Sequence, residues 1–236
     1  MYFVGVDLSW SRKNKSGVVV LDNNKLVLSG VVSSDEEVIR CITSTVGSSP
    51  VMVAIDAPLL VPNESGSRLA EKELNNVFRK YEAGAHPANR SWFLRSSGCV
   101  RGEELVVALE KVGVVHDPLL SCKRCCFEVY PHPAMIRLFD LEKTLKYKPR
   151  KNRSYEERYE AFRRYQNHLS SLNVTNTSDL LSVDVSSLRG SALKEYEDVL
   201  DALLCAYIAK DVHERGADMF GTLQEGYILV PHARYV

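Results

Sequence analysis

Two short apolar runs, each ending in an aspartate, constrain this chain most. Tyr2-Phe3-Val4-Gly5-Val6 leads into Asp7, and Val51-Met52-Val53-Ala54-Ile55 leads into Asp56. β-branched and aromatic residues in runs of this length mark buried strands. The second run is apolar throughout, as in a strand covered on both faces. A carboxylate at the end of such a strand is costly unless a metal ion, a basic partner or solvent compensates it. Gly5 leaves room for a second backbone or a ligand. Pro58 turns the chain out of the sheet just past Asp56. Either aspartate alone reads equally well as a turn residue; two delivered by two strands point to a shared site.

The intervening chain supports that geometry. Ser16–Leu21 and Leu26–Val32 flank the turn signal Asp22-Asn23-Asn24-Lys25, so the first three strands are expected to form an antiparallel meander. Ser33-Ser34-Asp35-Glu36-Glu37 opens a helix with Val38, Ile39, Ile42 and Val46 as its apolar stripe. Such a crossover predicts a fourth strand lying parallel to the first and beside it. A fifth strand is expected over 127–130, and a last long helix over 192–215 ended by Gly216. Glu225–Val230 reads as a closing strand. Excursions near 62–100 and 140–190 are partly helical or irregular. The expectation is one α/β domain over 1–236, a mixed central sheet flanked by helices; a chain of this length can bury a sizeable core.

Formal net charge is zero, which argues against a polybasic nucleic-acid coat and confines any electrostatic footprint to a local patch. No basic leader with an apolar core precedes the first strand and no run reaches membrane-spanning length, so a cytoplasmic location without a membrane partner is expected. Of the six cysteines, Cys122, Cys125 and Cys126 have half the spacing of a zinc site, but no second pair completes it. A disulfide, or ordinary packed thiols, are the other readings.

The one strongly charged segment runs from Lys143 to Arg164, with nine basic residues against three acids. Tyr147, Tyr155, Tyr159 and Tyr165 are interleaved. Lysine and arginine neutralise phosphates and aromatic faces stack bases, so Lys148, Arg150 and Lys151 are candidate nucleic-acid contacts. A solvated helix with internal Glu–Arg pairs is the competing reading.

The last helix carries Asp198-Val-Leu-Asp201, two carboxylates on one face beside an apolar stripe. With Asp7 and Asp56 they make four oxygen ligands, which suit magnesium or manganese better than zinc. Carboxylate clusters of this kind hold two ions about 3.5–4 Å apart, for in-line displacement at phosphorus. Asp7 would bridge the ions, and Asp56, Asp198 and Asp201 would complete the shell. Gly-x-Ser-x-Gly, a phosphate-binding glycine-rich loop and a dinucleotide fingerprint are all missing from the sequence.

The order of elements resembles the RNase H-like fold, and Asp-x-x-Asp-Ala-Leu on the last helix is similar to the ending of RuvC-type resolvases, which place Glu where this chain has Asp56. A fuller resemblance is to the family called domain of unknown function 429, described as predicted RNase H-like nucleases. It rests on Gly5-Val-Asp7-Leu-Ser-Trp10, Ala54-Ile-Asp56-Ala-Pro-Leu59, Arg68 with Glu71, Glu128-Val-Tyr-Pro131, Asp201-Ala-Leu-Leu-Cys-Ala206 and Gly226-Tyr-Ile-Leu-Val-Pro231. The resemblance implies a metal-dependent nuclease, with Arg68 and Glu128 as further substrate-binding candidates. Two other expectations stay open: a nucleotide-binding protein of the actin and sugar-kinase type, or a non-catalytic nucleic-acid-binding module. An oligomer is compatible with all three.

Overall fold

The computed structural model describes residues 1–233. Strands β1 (Tyr2–Asp7), β2 (Ser16–Asp22) and β3 (Lys25–Val32) form an antiparallel meander. Helix α1 (Asp35–Val46) starts where the Ser34 side chain accepts a hydrogen bond from the Glu37 N–H, with three acids in its first turn. It returns the chain to β4 (Val51–Ile55), which pairs in parallel with β1. Helices α2 (Leu69–Phe78), α3 (Arg90–Ser97) and α4 (Arg101–Glu110) follow, then β5 (Val115–His116) and β6 (Arg124–Glu128). Helices α5 (Pro131–Phe139), α6 (Tyr155–Ser170), the short α7 (Ser178–Leu181) and α8 (Gly190–Arg215) lead to a hairpin of β7 (Ala217–Thr222) and β8 (Gly226–Pro231). The main sheet runs β3-β2-β1-β4-β6-β5, with β1, β4, β6 and β5 mutually parallel. This is an α/β protein with a mixed sheet flanked by helices, and the expected meander and β1–β4 pairing are both present. Among the described residues no helix is long and apolar enough to cross a membrane.

Alternation along the strands sorts the core into two layers. Phe3, Val19, Met52, Ala54 and Phe127 pack with the residues of α8; Val4, Val18, Val20, Val53 and Ile55 pack with those of α1 and α4. Helix α8 lies along β1 and β2 and also packs against β4, α5 and β8. Being covered all round, it buries most of its 26 residues rather than one stripe. Two glycines allow its approach. A Cβ at Gly5 would lie 1.9 Å from the Ala202 carbonyl oxygen, and one at Gly17 would lie 2.0 Å from that of Asp198.

Two features depart from the sequence expectations, and the cysteines follow one of the readings left open for them. Strands β5 and β7 lack a strand-like pattern: β5 is two residues long, and β7 contains Asp218 and Gly221 and owes its conformation to pairing with β8. The region after Ala88 is helical, because the Asn89 side chain caps α3 by accepting from the Trp92 N–H. All six cysteines are free thiols. Cys125 and Cys126 are consecutive on β6 and enter opposite core layers, with Cys122 packed on the Cys125 side.

The glycine contacts generate a direct test. Gly5→Ala forces a methyl group into backbone that cannot yield, and is expected to cost about 3 kcal/mol or more. At Gly30 in β3 a Cβ meets nothing within 4 Å, so Gly30→Ala should be neutral or stabilising by about 0.5 kcal/mol. Urea unfolding midpoints compare the two; equal effects would refute the close approach of α8 to β1.

Candidate functional site

Asp7 is the last residue of β1 and shares a sheet face with Phe3 and Gly5, the face that meets α8. Asp56 follows β4 directly, and its N–H donates to the Val6 carbonyl at 2.9 Å, which keeps it beside Asp7. Since α8 rests on Gly5 and Gly17, its Asp198 and Asp201 are carried to the same end of the sheet. All four aspartates expected to share a site therefore converge. Asp7 feels the charges of Asp201, Asp56 and Asp198, and Asp198 that of Asp201.

Basic groups already occupy part of this cluster. Asp201 is fully buried; its Oδ1 accepts from the hydroxyls of Tyr147 at 2.8 Å and Tyr165 at 3.1 Å, and its Oδ2 lies 2.9 Å from the Lys148 Nζ. The Lys194 Nζ lies 2.5 Å from Asp198 Oδ1 and 2.8 Å from Glu197 Oε1. Arg158 approaches the other Glu197 oxygen at 3.6 Å. Five carboxyl groups thus face three basic groups. As the side chains stand, no three His, Cys, Asp or Glu residues among those described form a ready cage for a metal ion.

The electrostatics follow from this crowding. Burial raises the Asp7 carboxyl well above the usual carboxylate range, the charge of Asp201 adds to the rise, and Lys148 opposes it. Asp56 is pushed up to about 7, by burial first, with Lys148 pulling the other way and Asp201 and Glu128 adding. Burial acts on Asp201 too, but Lys148 and the Tyr147 hydroxyl outweigh it and hold that carboxylate below its ordinary value. His132 is lowered to about 3 by burial and by Lys148, so its ring is neutral.

Two clefts reach the cluster. One of about 390 Å³ opens over Asp7 and Asp198, with Ser9, Lys13, Asn14, Lys15 and Lys194 around it. A smaller one of about 80 Å³ touches Asp56 from another side and is walled by Trp10, His86 and Tyr130.

The five substrate-binding candidates divide. Arg68 and Glu128 are 2% and 3% exposed and form a two-pronged ion pair, with Arg68 Nη1 to Glu128 Oε2 at 2.9 Å and Nη2 to Oε1 at 2.5 Å. Arg68 Nε also donates to Glu71, and Glu128 accepts from the Leu59 N–H, so the group ties the chain after β4 to β6 at the base of the smaller cleft. Lys148 turns its ammonium into the acids, whereas Arg150 and Lys151 are exposed on the loop before α6. Elsewhere in the basic segment, Lys143 and Lys146 pair with Glu82, and Arg158 donates to the Tyr147 carbonyl. Tyr147, Tyr159 and Tyr165 are buried, which removes them as stacking faces. Sequence reasoning missed Lys194, although its place one turn before Asp198 is a legible signal. The roles of Tyr147 and Tyr165 towards Asp201 were not legible, because those residues lie 54 and 36 positions away.

The raised Asp56 carboxyl fixes a pH dependence. In the fold it keeps its proton to about pH 7, while the unfolded chain releases it near pH 4. Rising pH through that window therefore favours the unfolded chain. In chelator, the stability of wild type relative to Asp56→Asn is expected to fall between about pH 5 and about pH 8. The depressed His132 has the opposite slope but is common to both proteins. Chemical denaturation across that range reads the difference, and a flat one would contradict the assigned burial of Asp56.

No curated protein and no solved structure matches the chain significantly. A family model described as Protein of unknown function (DUF429) matches residues 5–222, which take in all four aspartates and both clefts apart from Ile228. With nearly the whole chain matched, the protein belongs to the DUF429 family.

Proposed function

We propose that this protein is an RNase H-like, divalent-metal-dependent phosphodiesterase that acts on nucleic acid. The observation that carries the reading is the convergence of Asp7, Asp56, Asp198 and Asp201, from two strands and one helix, beside a lysine-rimmed cleft. The strand order β3-β2-β1-β4-β6, with only β2 antiparallel to both its neighbours, supports the RNase H-like part. The donor set is all carboxylate oxygen, which suits magnesium or manganese. Five carboxyls against three basic groups leave an excess of two negative charges when all are ionised, the charge one divalent cation cancels. Bound there, the ion would activate water and stabilise the leaving oxygen at phosphorus.

The chain's own residues supply the rest. Asp7, Asp56 and Asp198 would hold the ion. Lys13 and Lys15 would draw a phosphate backbone into the larger cleft, and Arg150 and Lys151 would extend that contact. Trp10 and Tyr130 offer apolar walls on the Asp56 side. A second reading is favoured by the pairing of Lys148 with Asp201 and of Lys194 with Asp198. In that reading the lysines are permanent counter-ions, and the protein is a non-catalytic nucleic-acid-binding module.

Thermal melts with increasing magnesium separate the two. Wild type should gain stability as the ion binds the folded state. Asp7→Asn should lose both that gain and manganese-dependent cleavage of nucleic acid. Without metal it should stay as stable or gain slightly, because a like-charge contact is relieved. A wild-type melt indifferent to the ion favours the non-catalytic module. Replacing Arg150 and Lys151 by Ala should lower the log–log salt slope of nucleic-acid binding by about one unit per lost contact; an unchanged slope removes that loop from the interface.

A further inference from the structure

The loop between β1 and β2 serves both clefts. Trp10 lines the smaller one, while Ser9, Lys13, Asn14 and Lys15 line the larger. The Cα atoms of Trp10 and Lys13 are at most about 11 Å apart along the chain, a separation on the scale of a nucleotide. Lys15 pairs with Glu195, but Lys13 has no ion-pair partner among the described residues. The loop is fixed at Trp10. The Ser9 N–H donates to Ser16 Oγ at 3.1 Å, and the buried Arg101 donates from Nη1 to the Ser9 carbonyl at 2.8 Å.

The smaller cleft is built from flat surfaces: the rings of Trp10, His86 and Tyr130, with Pro58 beside them. The Tyr130 ring is held by stacking on His132, with centroids 5.4 Å apart and planes 8° from parallel. Trp10 meets Trp92 edge-on at 5.3 Å, and Trp92 is 40% exposed, so aromatic surface continues outward onto α3. The charged groups of the lining, Arg68, Glu71 and Glu128, are paired with one another. The Trp10 indole N–H and the His86 ring nitrogens, in contrast, have no hydrogen-bond partner among the described residues.

We infer that the smaller cleft receives an unpaired base of a nucleic-acid strand whose phosphates lie in the larger cleft, so that the protein selects single strands over duplex. This rests on the nucleic-acid reading above, in either of its two forms, and needs no metal ion. Every base has a π-face that stacks on aromatic side chains whatever its sequence. A base inside a duplex keeps its faces in the helical stack and its edge on its partner, and cannot enter unless it is flipped out. Rings on one side of a single fixed loop and lysines on the other match the base and the phosphate of one ligand. An apolar peptide in the smaller cleft would leave the lysines unused.

Binding in chelator, which prevents metal-dependent cleavage, tests this at one salt concentration. The probes are an oligothymidylate, the duplex of that strand with its complement, and an abasic oligomer of the same length. Wild type should bind the single strand about tenfold or more tighter than the other two, with its tryptophan fluorescence quenched. Equal affinity for all three would overturn the inference and leave the nucleic-acid reading standing, whereas no binding of any probe would overturn both. Trp10→Leu should bring the single strand to within about threefold of the abasic oligomer and leave the salt slope unchanged, since the phosphate contacts remain. Trp10→Phe, which keeps a ring, should retain most of the preference. A preference undiminished in Trp10→Leu would contradict the assignment to this cleft. Should Trp10→Leu not fold, the exposed His86 provides the second variant. His86→Ala should lower the single-strand preference by about threefold, and an unaltered preference there would also count against the cleft.

Discussion

The acid site exists because α8 lies directly on the backbone of β1 and β2. Side chains at positions 5 and 17 would hold the helix off, since each Cβ would lie about 2 Å from a carbonyl of α8. With glycine at both, the helix settles until its own main chain meets the sheet. Asp198 and Asp201 are then delivered to the strand ends that carry Asp7 and Asp56. A packing constraint in the core thus determines which charges meet at the surface cleft. The same closeness explains why α8 is buried without a break over 196–209: the sheet lies against it, and α5 and β8 pack on it as well.

Bringing these carboxyls together is unfavourable, and the fold answers it with charge. Lys148 comes from the loop before α6 and Lys194 from α8 itself, so the neutralising groups arrive from two directions. They do not suffice. Asp7 and Asp56 are still driven towards their protonated forms by burial and by the charge of Asp201. An electrostatic deficit that the chain's own residues leave open, beside a cleft rimmed with lysine, is the physical ground for the proposed divalent ion. The buried ion pair of Arg68 and Glu128 has a different character. It closes on itself, with Glu71 and the Leu59 N–H completing it, and braces the chain after β4.

Much of this was legible in the sequence. The runs ending in Asp7 and Asp56 announce buried strands, the turn at 22–25 announces the meander, and the spacing of Asp198 and Asp201 announces a shared helix face. Gly5 pointed to a close approach, and the backbone of α8 makes it. What stayed hidden depends on contacts distant along the chain. Strand β7 has no strand pattern of its own and forms against β8. The tyrosines of the basic segment looked like stacking faces, yet Tyr147 and Tyr165 turn inward to Asp201, a partner that periodicity cannot reveal. Lys148 looked like a phosphate contact because its local sequence is basic; its ammonium lies 2.9 Å from Asp201 Oδ2, a partner distant along the chain.

The central claim is that the aspartates converging at the end of β1 form a cation site. A crystal soaked in manganese, read for anomalous density, tests it most directly. The account predicts a peak bounded by Asp7, Asp56 and Asp198, with Lys148 still on Asp201. Absence of density there at full soaking, with Lys148 and Lys194 undisturbed on their carboxylates, would contradict it.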